Sequence, residues 1–254
     1  MPDHSAIEFA HVSYRLESSR ELLFDLNLSI APGEVFMLLG RSGSGKTTSL
    51  KLINRLLTPT EGEVHVEGMP TTLWDPIVLR RKIGYAIQEV GLFPHYTVEQ
   101  NIALVPRLER WPKEKVAARV REVMALVDLP PGFLTRYPDQ LSGGQRQRVG
   151  LARALAADPP ILLMDEPFGA LDPLSRTQLQ KEFQQLQQRL KKTVVFVTHD
   201  VGEALLLGDR IALLQEGRLL TVQPPKEFLA TSDPTARSYV DAFRAGYKVF
   251  ESQL

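Results

Sequence analysis

The chain contains no cysteine among its 254 residues, which excludes disulfides and thiolate metal sites and agrees with a reducing compartment. It has no excess of either charge, because 30 basic and 30 acidic residues cancel. The broad positive field of a nucleic-acid binder is therefore missing, and no nucleic-acid partner is expected. No apolar run approaches the roughly 18 residues that a spanning helix needs. Residues 1–15 carry acids and polar groups where a signal peptide would be apolar. The expectation is a chain that neither crosses a membrane nor is exported. Internal repeats and low-complexity tracts are also lacking. What the chain does have is an ordinary globular composition, 43% hydrophobic and 24% charged, enough for one sizeable core.

The first third alternates apolar and polar residues, as in Ile7-Glu8-Phe9-Ala10-His11-Val12 and Glu63-Val64-His65-Val66-Glu67. That is the period of half-buried antiparallel strands. Val35-Phe36-Met37-Leu38-Leu39, between Gly33 and Gly40, is continuously apolar, as a strand buried on both faces would be, and should be central. From 98 to about 128 the pattern turns helical, broken by Trp111-Pro112, with Val116, Val120, Val123 and Val127 at three- and four-residue spacing. This predicts an inserted helical subdomain. Further on, the patterns predict helices over 142–157 and 173–190, strands over 161–164, 193–197 and 210–214, and a short helix from Asp200. Strands alternating with helices imply parallel pairing and right-handed crossovers, hence an α/β fold. Near the end, Tyr239, Phe243, Tyr247 and Phe250 form a stripe that would pack a tail helix on the body.

Gly40-Arg41-Ser42-Gly43-Ser44-Gly45-Lys46-Thr47 fits G-x-x-x-x-G-K-[ST], between the buried strand and a helical stretch predicted over 48–57. Glycines let backbone amides turn inward around phosphates, and the helix start adds its positive dipole end. The candidate phosphate-binding set is thus Gly40 to Thr47 together with Thr48. Lys46 would bridge the β- and γ-phosphates, and the Thr47 hydroxyl would reach Mg²⁺. Ile161-Leu162-Leu163-Met164-Asp165-Glu166 is an apolar strand ending in two acids, which burial penalises unless a cation or water receives them. Successive side chains alternate in direction, so the two acids should differ in task. Asp165 is the candidate for holding Mg²⁺ through water, and Glu166 the candidate general base. A plain strand end running into a charged turn is the alternative.

Leu141-Ser142-Gly143-Gly144-Gln145, followed by Arg146-Gln147-Arg148, resembles the LSGGQ signature of the ABC ATPases. Independently of the resemblance, Ser142 is a suitable N-cap, and Gly143, Gly144 and Gln145 at a helix start leave amides open to an anion. The resemblance runs from Tyr14 to about Pro225. It implies an ABC cassette: a P-loop core with a mostly parallel sheet, an N-terminal antiparallel β subdomain and a helical subdomain at about 89–157. On this reading residues 1–225 form the ATPase domain and 226–254 a short helical tail without a separate regulatory domain. It further implies ATP and Mg²⁺ as cofactors and a head-to-tail homodimer, each ATP lying between one cradle and the partner's signature helix.

Other matches follow from the resemblance alone. Tyr14, on an expected edge strand, stands where the family stacks an aromatic ring on adenine. Gln88 matches the glutamine that contacts Mg²⁺ and links the site to the membrane partner. Gly169-Ala170-Leu171-Asp172 matches the loop touching the opposite subunit's site, with Asp172 also a plausible N-cap. His199 matches the switch histidine that contacts the γ-phosphate. The implied function is ATP hydrolysis that closes and reopens a dimer at the cytoplasmic face of the membrane. That motion would pass to transmembrane permease subunits, with a periplasmic or extracellular solute-binding protein involved indirectly. Soluble ABC proteins of translation or DNA repair are the rival class, but they typically join two cassettes or carry long coiled coils; a silent scaffold would be expected to lack Lys46, Glu166 or His199.

The stretches at 83–88, 90–98 and 101–106 are similar to importers of glycine betaine, choline, carnitine and related osmoprotectants. In the family this region faces the membrane partner. The plainer alternative for Phe93, Pro94 and Tyr96 is an apolar loop folded onto its own subdomain.

Overall fold

The computed structural model of the chain describes residues 5–87, 90–169 and 171–251. Its first elements are β1 (Ile7–Arg15), β2 (Glu21–Ile30), β3 (Val35–Leu39), α1 (Lys46–Ile53), β4 (Glu61–Val66) and β5 (Met69–Pro70). There follow α2 (Pro76–Arg81), β6 (Ile83–Ala86), α3 (Val98–Ile102), α4 (Leu104–Leu108), α5 (Lys113–Leu126), α6 (Gly143–Leu155), β7 (Ile161–Asp165) and α7 (Pro173–Leu190). The last are β8 (Thr193–Thr198), α8 (Val201–Leu207), β9 (Arg210–Gln215), β10 (Arg218–Gln223), α9 (Pro225–Leu229) and α10 (Pro234–Glu251). They form two compact units, Met1–Leu73 with Val195–Leu254, and Trp74–Val194. No described helix is long and apolar enough to cross a membrane.

The first unit contains an antiparallel sheet of order β2-β1-β4-β5, as the alternation at its N-terminus predicts. Ile7, Phe9 and Val12 turn inward from β1 and are buried. Ile7 pairs with Ile30 on one side and Val66 on the other. β1, and Tyr14 with it, therefore lies on an interior strand rather than the expected edge, because the alternating segment of β4 gives it a second partner. A further sheet runs β10-β9-β3-β8 within this unit, with β3 parallel to β9 and β10 antiparallel to it. All five residues of β3 are buried, as a strand covered on both faces requires. α1 is shorter than the predicted 48–57. It starts at Lys46 and stops at Ile53, where Asn54 accepts the Leu56 amide at 3.1 Å and Arg55 turns left-handed at φ 53°.

In the second unit β6 and β7 pair in parallel, from Ile83 opposite Ile161 to Ala86 opposite Met164. The helical pattern becomes α3, α4 and α5, with Trp111-Pro112 just before α5. Val116, Val120, Val123 and Val127 are all buried. α6 packs on α3, α5 and β6. Asn101, fully buried, accepts the Phe93 amide at 2.8 Å and donates to the carbonyls of Phe93, Tyr96 and Thr97 at 3.0–3.2 Å. This one side chain folds the 93–97 loop onto its own helices. The rings of Phe93 and Tyr96 pack on each other at 5.3 Å, yet Phe93 stays exposed.

Candidate nucleotide-binding site

In the first unit, the loop between β3 and α1 has the shape of an anion cradle. Gly43 and Gly45 adopt φ of 79° and 101°, which L side chains rarely take. A Cβ on Gly40 would lie 2.3 Å from the Leu214 carbonyl oxygen, so only glycine allows β3 to end against β9 in this way. α1 has Gly45 as its N-cap, no capping side chain and no acid in its first turn. A helix start without a capping side chain or an acid is the arrangement that suits an anion. Lys46 is buried, and its Nζ donates to the carbonyls of Gly40 and Arg41 at 2.7 and 2.9 Å. The charge is held over the loop by acceptors that a phosphate can outbid. Ser44 Oγ is buried without a hydrogen-bond partner among the described residues. Arg41, Ser42, Gly43 and Thr47 are exposed, Thr48 half-buried.

The same unit carries Tyr14, half-buried on β1, and His199, exposed just after β8. The second unit carries the acids and the signature. Asp165 ends β7 and is 6% exposed. Tyr85 pairs with Leu163 across the parallel register, and its hydroxyl donates to the Asp165 carboxylate. Burial, then the Asp165 charge and this hydrogen bond, push the phenol above its ordinary 10.0. The phenol therefore stays a donor. Glu166 leaves the strand at φ 44°, half-buried, and its carbonyl accepts the Gly169 amide at 3.1 Å. The strand alternation does not continue into it, and its left-handed backbone sets its direction instead.

Ser142 is the N-cap of α6, in a reciprocal pair with Gln145: Ser142 Oγ accepts the Gln145 amide at 3.3 Å, and Gln145 Oε1 accepts the Ser142 amide at 2.9 Å. At Gly143 and Gly144 an added Cβ would meet nothing closer than 4.0 and 3.9 Å. Nothing among the described residues requires glycine at either position, so the bareness fits close approach by something outside the chain. Asp172 is the N-cap of α7, accepting the Leu174 and Ser175 amides at 3.1 and 3.0 Å. Hydrogen bonds from Ser175, its side chain first, hold this carboxyl below its ordinary 3.8. Gln88 and Ala170 lie outside the described residues.

Two contributors were not visible in the sequence. Tyr85 reaches Asp165 only through the β6–β7 register. Arg153, half-buried on α6, donates to the carbonyls of Gly91 and Val90 at 2.7 and 2.6 Å, clamping the segment that follows Gln88. Its sequence signal, an arginine on a helix face otherwise rich in buried small residues, is weak. Among the described residues no cluster of three or more His, Asp or Glu side chains could hold a metal by itself. Thr47 and Asp165 each carry an oxygen donor of the kind Mg²⁺ takes, and Mg²⁺ commonly needs only one or two protein ligands, completing its shell from phosphates and water.

A buried strand leading into a glycine cradle, a capped signature helix and an apolar strand ending in acids define a nucleotide-binding cassette. The chain belongs to the ABC transporter family, whose model matches residues 23–169. Over 247 residues it is 48% identical to the glycine betaine/carnitine/choline transport ATP-binding protein OpuCA of Bacillus subtilis (strain 168). That match covers 97% of this chain and 64% of the relative's length. With the glycine betaine uptake system ATP-binding protein YehX of Escherichia coli (strain K12) it shares 49% identity over 223 residues, 88% of this chain and 72% of that protein. Among solved structures it is similar to the ATP-binding cassette MJ0796, described as dimeric, in a post-hydrolysis state and bound to ADP and Pi. The TM-score is 0.78 at 36% identity, covering 86% of this chain and 98% of that one. These neighbours share the α/β cassette fold.

Proposed function

We propose that this chain binds and hydrolyses ATP as one of two identical subunits that energise a membrane transporter. The observation that carries the reading is the cradle at α1: a helix start with no capping side chain and no acid, glycines at left-handed φ, and a buried lysine that donates to the Gly40 and Arg41 carbonyls. In it Lys46 binds the β- and γ-phosphates, with the amides from Gly40 to Thr48 lining them and Tyr14 stacking on the base. Thr47, Asp165 and Gln88 would hold Mg²⁺, which supplies charge neutralisation at the phosphates. Glu166 accepts the proton of the attacking water, and His199 holds that water against the γ-phosphate. Ser142, Gly143, Gly144 and Gln145 present a second anion site at the start of α6, and Asp172 stands in the loop preceding α7. A head-to-tail pair brings these to the partner's nucleotide and gives the bare glycines a reason to be bare.

The names of the relatives support transport of quaternary-amine osmoprotectants such as glycine betaine, choline or carnitine; we infer import through transmembrane permease subunits, with this chain at the cytoplasmic face. A solute-binding protein outside would deliver the cargo. The test is sizing of purified Glu166→Gln protein with and without Mg-ATP. Binding without turnover should trap an ATP-dependent dimer. A variant that binds ATP yet stays monomeric would count against the paired engine.

A further inference from the structure

Phe243 has no part in the nucleotide reading, yet its ring lies against the turn that presents His199. β8 ends at Thr198, His199 is exposed, and Asp200 caps α8. The residues on either side of His199 are locked in place. Thr198 Oγ1 donates to Glu203 Oε2 at 2.6 Å and accepts the Asp200 amide at 2.9 Å. Asp200 Oδ1 accepts the amides of Gly202 and Glu203 at 2.7 and 3.2 Å. Thr198 and Glu203 are buried. A Cβ on Gly202 would lie 3.0 Å from Asp200 Oδ1 and 3.2 Å from Phe243 Cε2. The cap carboxylate and the edge of the phenyl ring therefore flank the same bare Cα. Ala236 and Val240, on the same stripe of α10, are fully buried, and α10 packs on α8 and α9. The ring is thus delivered by an anchored helix rather than by a loose tail. Closing an apolar group over a charged cap excludes water that would compete for the amides, and it strengthens each bond of the network.

We propose that α10 buttresses the histidine turn, and that Phe243 is a positioning residue fixing the direction in which His199 projects. The proposal rests on the reading of His199 as the γ-phosphate contact. It leaves nucleotide binding to the cradle, so the two should separate in steady-state kinetics. In the full chain, Phe243→Ala should lower kcat by about 10- to 100-fold, the effect of misplacing one group by about 1 Å, with the ATP Kd changed less than about twofold. Phe243→Leu, which keeps apolar bulk over the cap, should recover most of that turnover. Gly202→Ala leaves α10 itself unchanged but crowds both the cap carboxylate and the ring edge, and should lower turnover in the same direction. His199→Ala, run alongside, should abolish turnover. If it does so while Phe243→Ala and Gly202→Ala turn over like the parent, the buttress is overturned and the histidine reading stands. If His199→Ala hydrolyses normally, the histidine reading itself falls. A matched loss of ATP affinity and turnover in Phe243→Ala would indicate general loosening and would also overturn the proposal.

Discussion

Lys46 and Asp172 differ in kind: the lysine donates to loop carbonyls that a phosphate can replace, and Asp172 is a formed helix cap. The lysine ammonium rests on two loop carbonyls within an otherwise buried setting. Removing it leaves those carbonyls and any bound phosphate without their charged donor. Lys46→Ala should therefore abolish tight nucleotide binding, as titration calorimetry with Mg-ATP would register, and unchanged affinity would remove the cradle assignment. Asp172 is a formed cap whose carboxyl is held low by Ser175. A depressed folded value means a stabilisation present above the unfolded value and lost as pH falls through the folded one. Asp172→Asn keeps a capping oxygen that does not titrate. The parent should melt higher than the variant near neutrality, with the gap closing below pH 3.8, which thermal unfolding across that window measures. The capping role of Asp172 was readable in advance, since Asp-Pro before a helix is a local signal. Tyr85 on Asp165 was not, because a hydrogen bond between neighbouring strands depends on a register that no single segment encodes.

At the scale of elements, the strength of the periodic signal decided what could be read. β3, continuous and apolar, and the valine stripe of α5 stand where the patterns place them. α1 does not extend as far as its pattern, because Asn54 and Arg55 end it by local capping and a left-handed turn. β1 is interior because β4 pairs with it, a long-range event that its own alternation cannot announce. α6 allows a test that separates its two tasks. Ser142→Ala removes the cap and should cost about 1 kcal/mol of stability, read in denaturant unfolding. Ser142→Arg should also fill the bare surface beside Gly143 and Gly144. It should block the ATP-dependent dimer while nucleotide still binds the monomer, and a dimer of normal yield would contradict the pairing model. Glu166 marks the limit of period-based reading: two acids after a strand suggest opposite faces, but a left-handed residue, at a cost of about 1 to 2 kcal/mol, breaks the alternation at that point.

For the whole molecule, the family and the fold class were legible because three short motifs carry steric demands that few other sequences meet. The division into two units was less so, since the first is assembled from both ends of the chain. That division has a consequence for how the protein comes into being. β3 is buried on every residue, and its parallel neighbour β9 lies far along the chain; the Val35 amide, at the head of β3, finds its Asp209 acceptor 174 positions later. Synthesis at about 5 to 20 residues per second leaves that apolar strand without its neighbour for roughly 10 to 35 seconds on the ribosome. Trp74–Val194, contiguous in sequence, emerges completely within the same interval. The nascent chain thus passes through a stage in which one half can be native while the strand leading to the nucleotide cradle is still an open, sticky edge. During that stage the exposed apolar strand is where the nascent chain is most prone to aggregate.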